Sequence, residues 1–184
     1  MWHTIAVKPG QLWPCRKSHS LFDSGCLEWL SFIRPQSVRY FEYQGNQPRY
    51  HHQMFRFLKD AGYPRLQSIK LVNNSIASLP ILNRVNFETI IRNCGSYLEE
   101  LELSRVALPS DSPTWIYFFQ TCTRLTRLTC RFRLAYNVAP IQLQSHALPA
   151  LPSFTYLCWD TNVPISLDVL LTKSPNLHIE SIAS

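Results

Sequence analysis

The chain has 184 residues, of which 46% are hydrophobic and 12% aromatic, enough for one domain with a continuous core. No segment approaches the roughly 20 apolar residues of a membrane-spanning helix, and the first residues, with Lys8 and Pro9, lack the apolar run of a signal peptide. The net charge of +6 comes mostly from Arg (13 of the 18 cationic residues), too little to make the chain a polycation.

From the N-terminus, Trp2, Ile5, Val7 and Gly10 form a candidate first strand, and Gly10 to Ser20 reads as loop. Cys26, Trp29, Leu30 and Ile33 then recur at i, i+3, i+4 and i+7, one face of an α-helix. The strand phrase Val38, Phe41, Tyr43 follows. The same alternation of helical run and strand phrase returns as Met54/Phe57/Leu58/Ala61 with Leu66/Ile69/Leu71, and as Phe87/Ile90/Ile91/Cys94 with Leu98/Leu101/Leu103. It returns again as Trp115/Phe118/Phe119/Cys122 with Leu125/Leu128/Cys130. The fifth phrase, Phe154/Leu157/Trp159, has no helical run before it. Pro140, Pro149 and Pro152 deny that stretch a helix interior, and an extended connection with Ile141, Leu143, Leu148 and Leu151 touching the core is expected. Asn74 to Asn86 reads as loop. A last run, Leu167/Leu170/Leu171 with Ser174, leads to a phrase at Leu177 that is broken by Glu180.

The five phrases start 28, 32, 27 and 29 residues apart, within the range of stacked structural repeats. Each helical run starts 10 to 12 residues before its phrase. Asp23 or Ser24, Asn86, Ser112 and Ser166 can supply N-cap oxygens. Pro113 suits a first turn, and Gly62 and Gly95 stand just past predicted helix ends. Three positions beyond the last apolar residue of each phrase stand Asn46, Asn74, Val106, Arg133 and Asn162.

These registers resemble the leucine-rich repeats of the ribonuclease-inhibitor type found in F-box proteins, over roughly residues 22 to 182. The resemblance implies one α/β solenoid domain over 1–184, of about six units, with parallel strands on a concave face and helices on the convex face. It also implies an asparagine ladder, here broken at Val106 and Arg133. Cys122 fits the cysteine-containing variety of the repeat, with Cys94 one residue out of register. The string Trp2-His3-Thr4-Ile5 looks like the segment that follows an F-box, although no F-box and no capping units are seen in the chain; marginal stability or self-association is therefore expected. Function follows by the same resemblance: a protein–protein interaction module, the substrate-recognition part of an F-box-like ubiquitin-ligase subunit. The alternatives are a free-standing repeat scaffold or a nucleic-acid binder. A ligase adaptor would bind only through an F-box upstream.

In a strand, the residues between the apolar positions face the other side. That assigns Arg39, Tyr40, Glu42, Lys70, Glu99, Glu100, Glu102, Arg127 and Tyr156 to the concave surface as partner-binding residues, with Arg131 and Arg133 extending a basic flank. Lys70 is expected beside Glu102, and Glu100 beside Arg127. Cys158 is the one cysteine expected on this face. Residues 1 to 65 carry a balance of +5 and residues 105 to 133 one of +4, yet Glu99, Glu100 and Glu102 interrupt any phosphate-binding track. Catalytic motifs are missing: no G-x-S-x-G, no phosphate-cradling glycine loop and no H-E-x-x-H. His51 and His52 are adjacent and point apart on a helix, and there is no C-x-x-C. No enzyme activity, metal, cofactor or membrane partner is expected, and the location is expected to be cytoplasmic or nuclear.

Overall fold

Among the described residues seven strands form one sheet, all parallel and in chain order: β1 (Thr4–Val7), β2 (Tyr40–Gly45), β3 (Ser68–Asn73), β4 (Glu100–Ser104), β5 (Arg127–Phe132), β6 (Tyr156–Thr161) and β7 (His178–Ile182). The computed structural model describes residues 4–7, 34–45, 48–75, 80–132 and 139–182. Parallel neighbours need crossover connections. Among the described residues these include four α-helices: α1 (Pro48–Ala61), α2 (Arg84–Cys94), α3 (Ser112–Thr121) and α4 (Leu167–Lys173). The expected α/β class is thus what the chain forms, with all five phrases and the candidate first strand in the sheet. Trp2, Gly10, the run from Cys26 to Ile33, Asn46 and Arg133 lie outside the described residues.

The register follows from burying one face. Phe41, Ile69, Leu101, Leu128 and Leu157 stand opposite one another in one row, and Tyr43, Leu71, Leu103, Cys130 and Trp159 in the next. A slip of one residue would turn every one of these apolar groups to the other side. The first apolar residue of each phrase (Val38, Leu66, Leu98, Leu125, Phe154) lies two residues before its strand and is also buried. Together with the apolar stripes of the helices these rows make one core.

The chain turns into its strands by one repeated geometry. Before β2, β4, β5, β6 and β7 the N–H of the first apolar residue donates to the carbonyl three residues back: Val38 to Pro35, Leu98 to Gly95, Leu125 to Cys122, Phe154 to Leu151 and Leu177 to Ser174. One residue later, a single carbonyl accepts two N–H groups from the next unit. Arg39 O takes Gln67 and Ser68, Gln67 O takes Glu99 and Glu100, Glu99 O takes Thr126 and Arg127, and Thr126 O takes Thr155 and Tyr156. Backbone groups at the leading edge of the sheet are thereby satisfied. The same turn explains why Cys94 is out of register, since Gly95 occupies the position that Cys122 holds one unit later. A Cβ on Gly95 would come within 2.7 Å of Thr121 Cγ2 and 3.2 Å of Cys122 Sγ. Gly95 is right-handed, so close approach and not helix termination selects it; Gly62, at φ +56, does terminate α1.

Other local expectations are corrected. Asn83 and not Asn86 caps α2, accepting the Asn86 N–H at 2.9 Å, so the preceding loop is shorter than read. Asp111 and not Ser112 caps α3, accepting the Thr114 N–H at 3.0 Å. Ser166 makes no cap bond; its Oγ accepts the Leu143 N–H at 3.2 Å and donates to Ile141 O at 3.3 Å. That ties α4 to the proline-rich return, where Ile141, Leu143, Leu148 and Leu151 are all buried as expected. α1 starts at Pro48, before His51, and buries Phe55 more completely than Phe57. In α4 Leu170 is buried but Leu171 is exposed. The asparagine ladder does not form as expected at β3: Asn74 is exposed, whereas Asn73 is buried and accepts the Ser75 N–H at 3.1 Å. At the expected break, Val106 is buried and Arg105 takes a left-handed φ of 55.

The Tyr63 hydroxyl is buried with no hydrogen-bond partner among the described residues, and burial pushes its phenol pKa up. Leaving a buried hydroxyl unsatisfied costs about 1–3 kcal/mol. Tyr63→Phe should therefore raise stability by about 1 kcal/mol in urea unfolding. A destabilised variant would mean that the hydroxyl is bonded after all.

Candidate functional site

The alternate strand residues stand on the face of the sheet opposite the core, in rows set by the pairing. One row runs Tyr40, Ser68, Glu100, Arg127, Tyr156 and His178. The next runs Glu42, Lys70, Glu102, Thr129 and Cys158. A third includes Arg131 beside Asp160. Arg39 and Glu99 precede their strands and line the leading edge.

The structure brings all ten proposed binding residues to this one surface, in different states. Tyr40 is 47% exposed. Arg39 is half-buried, its guanidinium folded back to donate to Gln36 O at 2.8 Å. Glu42 accepts from Gln44 Nε2 at 2.8 Å. Lys70 and Glu102 form the expected pair, Nζ to Oε2 3.3 Å. Glu99 is held by Arg124 Nη2 at 2.9 Å and Gln67 Nε2 at 3.3 Å. Glu100 is exposed and accepts from Ser68 Oγ at 3.4 Å.

Arg127 corrects an expectation. It stands directly opposite Glu100, yet no ion pair forms; its guanidinium lies over the Tyr156 ring, 3.9 Å from the centroid. An exposed ion pair is worth ~0–1 kcal/mol and an exposed cation–π contact ~0.5–1 kcal/mol. With energies so close, the position of the ring decides. Tyr156 in turn neighbours the His178 ring, with centroids 6.5 Å apart.

Two positions of the second row are covered. Thr129 is 4% and Cys158 1% exposed, so Cys158 is not a surface thiol. Arg131 lies beside Cys158, and its Nη2 is 4.0 Å from Glu180. The Cys158 contact first, and the Glu180 and Glu102 carboxylates after it, push the Arg131 pKa further up. Glu180 reaches this side because β7 carries a bulge: Leu157 pairs with Ile179 but Cys158 with Ser181, leaving Glu180 as the extra residue.

Arg124 is the contact that alternation could not find. It bonds Glu99 and lies 5.8 Å from the Tyr97 ring centroid, but it stands in the turn before β5, where strand period assigns no face. Once internal pairs are removed, Arg39, Glu42, Glu100 and Arg127 are the charged residues proposed for this face that are left without an ion-pair partner among the described residues. That arrangement suits recognition by charge and aromatic contact. Among the described residues no cluster of His, Cys, Asp and Glu could hold a metal, and no helix is long and apolar enough to cross a membrane. No protein-family model, curated protein or solved structure matches the chain.

Proposed function

We propose that the chain is a leucine-rich repeat solenoid whose polar strand face binds another protein, as the substrate-recognition part of an F-box-like ubiquitin-ligase subunit. The observation that carries this reading is the return of one geometry from unit to unit: parallel strands in chain order, the same leading turn, and one carbonyl shared by two N–H groups. Stacked repeats of this kind build extended binding surfaces from their strands. Six strand spacings of about 4.8 Å give a face roughly 29 Å across, long enough for a partner segment of many residues. Protein is favoured over nucleic acid because the arginines form no continuous track. Arg131 is shared with Glu180, Arg127 lies on Tyr156, and Glu100 and Glu102 stand alongside.

A photo-crosslinking residue in place of Tyr40 or Tyr156 should capture a partner in cells, whereas one at Val85, exposed on α2, should not. The captured protein should lose ubiquitination when this chain is depleted. Capture from Val85 alone would move the site off the sheet, and unchanged ubiquitination would remove the ligase role.

A further inference from the structure

β7 bounds the sheet on one side, with no strand on its outer edge among the described residues. Such an edge is a template for pairing with another chain. The apolar groups at this end are those that a following unit covers elsewhere. Phe154 and Leu157 are fully buried, whereas Leu177 and Ile179, at the matching places of the last phrase, are half-buried. Phe119 is buried beside Phe154 of the next unit, with ring centroids 6.0 Å apart. Leu171 holds the place of Phe119 in its own helical run and is exposed.

The residues of β7 fit a second β7. The His178 N–H donates inward to Thr155 O. Successive strand residues direct their backbone groups to alternate sides, so Ile179 turns its N–H and C=O outward. A second copy running antiparallel about a two-fold axis at Ile179 exchanges both bonds there, residue 179 with residue 179. The same axis sets His178 of each copy against Glu180 of the other. Both are exposed, and the Glu180 side chain keeps 49% of its surface open although Arg131 is 4.0 Å away. At the opposite end of the sheet, β1 (Thr4–Val7) carries no charged residue to match this pair. Head-to-tail stacking of β7 on β1 would also grow without closing.

We infer that the outer edge of β7 is a dimer interface, taken by β7 of a second copy of this chain in antiparallel pairing centred on Ile179. One sheet then runs through both copies. His178 and Glu180 meet twice on its polar side, and on its core side the open apolar end formed by Leu171, Leu177 and Ile179 is closed by the mate. The pairing is independent of what the polar face binds.

Sedimentation equilibrium of the chain should show a reversible dimer of twice 21.4 kDa. His178→Glu sets carboxylate against carboxylate twice, and Glu180→Lys sets an ammonium against each imidazole. Each variant alone should dimerise at least about tenfold more weakly than wild type. Mixed in equal amounts they should recover the affinity as a heterodimer: the carboxylate brought by one meets the ammonium brought by the other, and the remaining His178 meets the remaining Glu180. Circular dichroism checks that the variants fold. Leu171→Asp, outside the sheet, should weaken the dimer as well and carries the test should a strand variant fail to fold. A monomer at every loading concentration, single variants that dimerise like wild type, or a mixture that stays monomeric would each overturn the inference. Open-ended assembly would overturn it in favour of head-to-tail stacking.

Discussion

Replacing Trp115 with Ala is expected to destabilise the chain by about 3–5 kcal/mol, the range for a fully buried Trp. Its side chain is 0% exposed, and its ring lies 5.6 Å from Phe87, 5.4 Å from Phe118 and 5.1 Å from Trp159. Those neighbours belong to α2, α3 and β6, so one side chain joins units that are separate in sequence. Its Nε1 also donates to Pro109 O at 2.8 Å, a bond that fixes the loop before α3. Alanine leaves a cavity and removes that donor together. Trp115→Phe keeps most of the volume and should lose markedly less. At roughly 2–4 °C per kcal/mol for a chain of this size, the alanine variant should melt about 6–20 °C lower. A loss of less than about 1 kcal/mol in urea unfolding would show that the aromatic cluster is not the centre of the core.

The second large effect is loss of stability in alkali. Burial pushes the Cys94 thiol up to about 12 from an ordinary 9.0. Burial also holds Cys122 and Cys130 well above that value, reinforced by the neighbouring Cys94 and Cys158 respectively. A thiol with a raised folded pKa gives stability that is complete below the unfolded pKa. Above that point the unfolded chain sheds protons that the folded chain keeps, and stability falls as pH rises towards the folded pKa. Each thiol approaches a slope of about 1.4 kcal/mol per pH unit only above the unfolded pKa, so the three together should remove about 3 kcal/mol between pH 9 and 10. Urea unfolding from pH 8 to pH 10 measures this directly. The Cys94→Ala, Cys122→Ala, Cys130→Ala triple variant, less stable throughout, should lose most of the slope. A wild-type midpoint that stays flat to pH 10 would mean that the thiols reach solvent.

Much of the fold was legible because two periods coincide: period 2 in the strand phrases and 3.6 in the runs before them. Phe87, Ile90, Ile91 and Cys94 were readable as one buried stripe, and are. The last strand was not, since Glu180 breaks its alternation; the bulge that brings Ile182 opposite Trp159 depends on pairing with β6, which sequence alone does not display. Caps moved by up to three residues because Asn83 and Asn86, or Asp111 and Ser112, are chemically interchangeable at that end. On the polar face Lys70 with Glu102 followed from register alone. Arg127 did not, because the choice between Glu100 and Tyr156 is made by where the ring lies.

Each strand pairs only with its neighbours in the chain. Under tension such a sheet would peel as a zipper does, one rung failing before the next bears the load. Each rung from β2 to β6 releases one phrase-to-phrase interval of 27 to 32 residues, about 100 Å of extended chain. Pulled from one end, the molecule would yield in short, nearly equal steps instead of a single rupture.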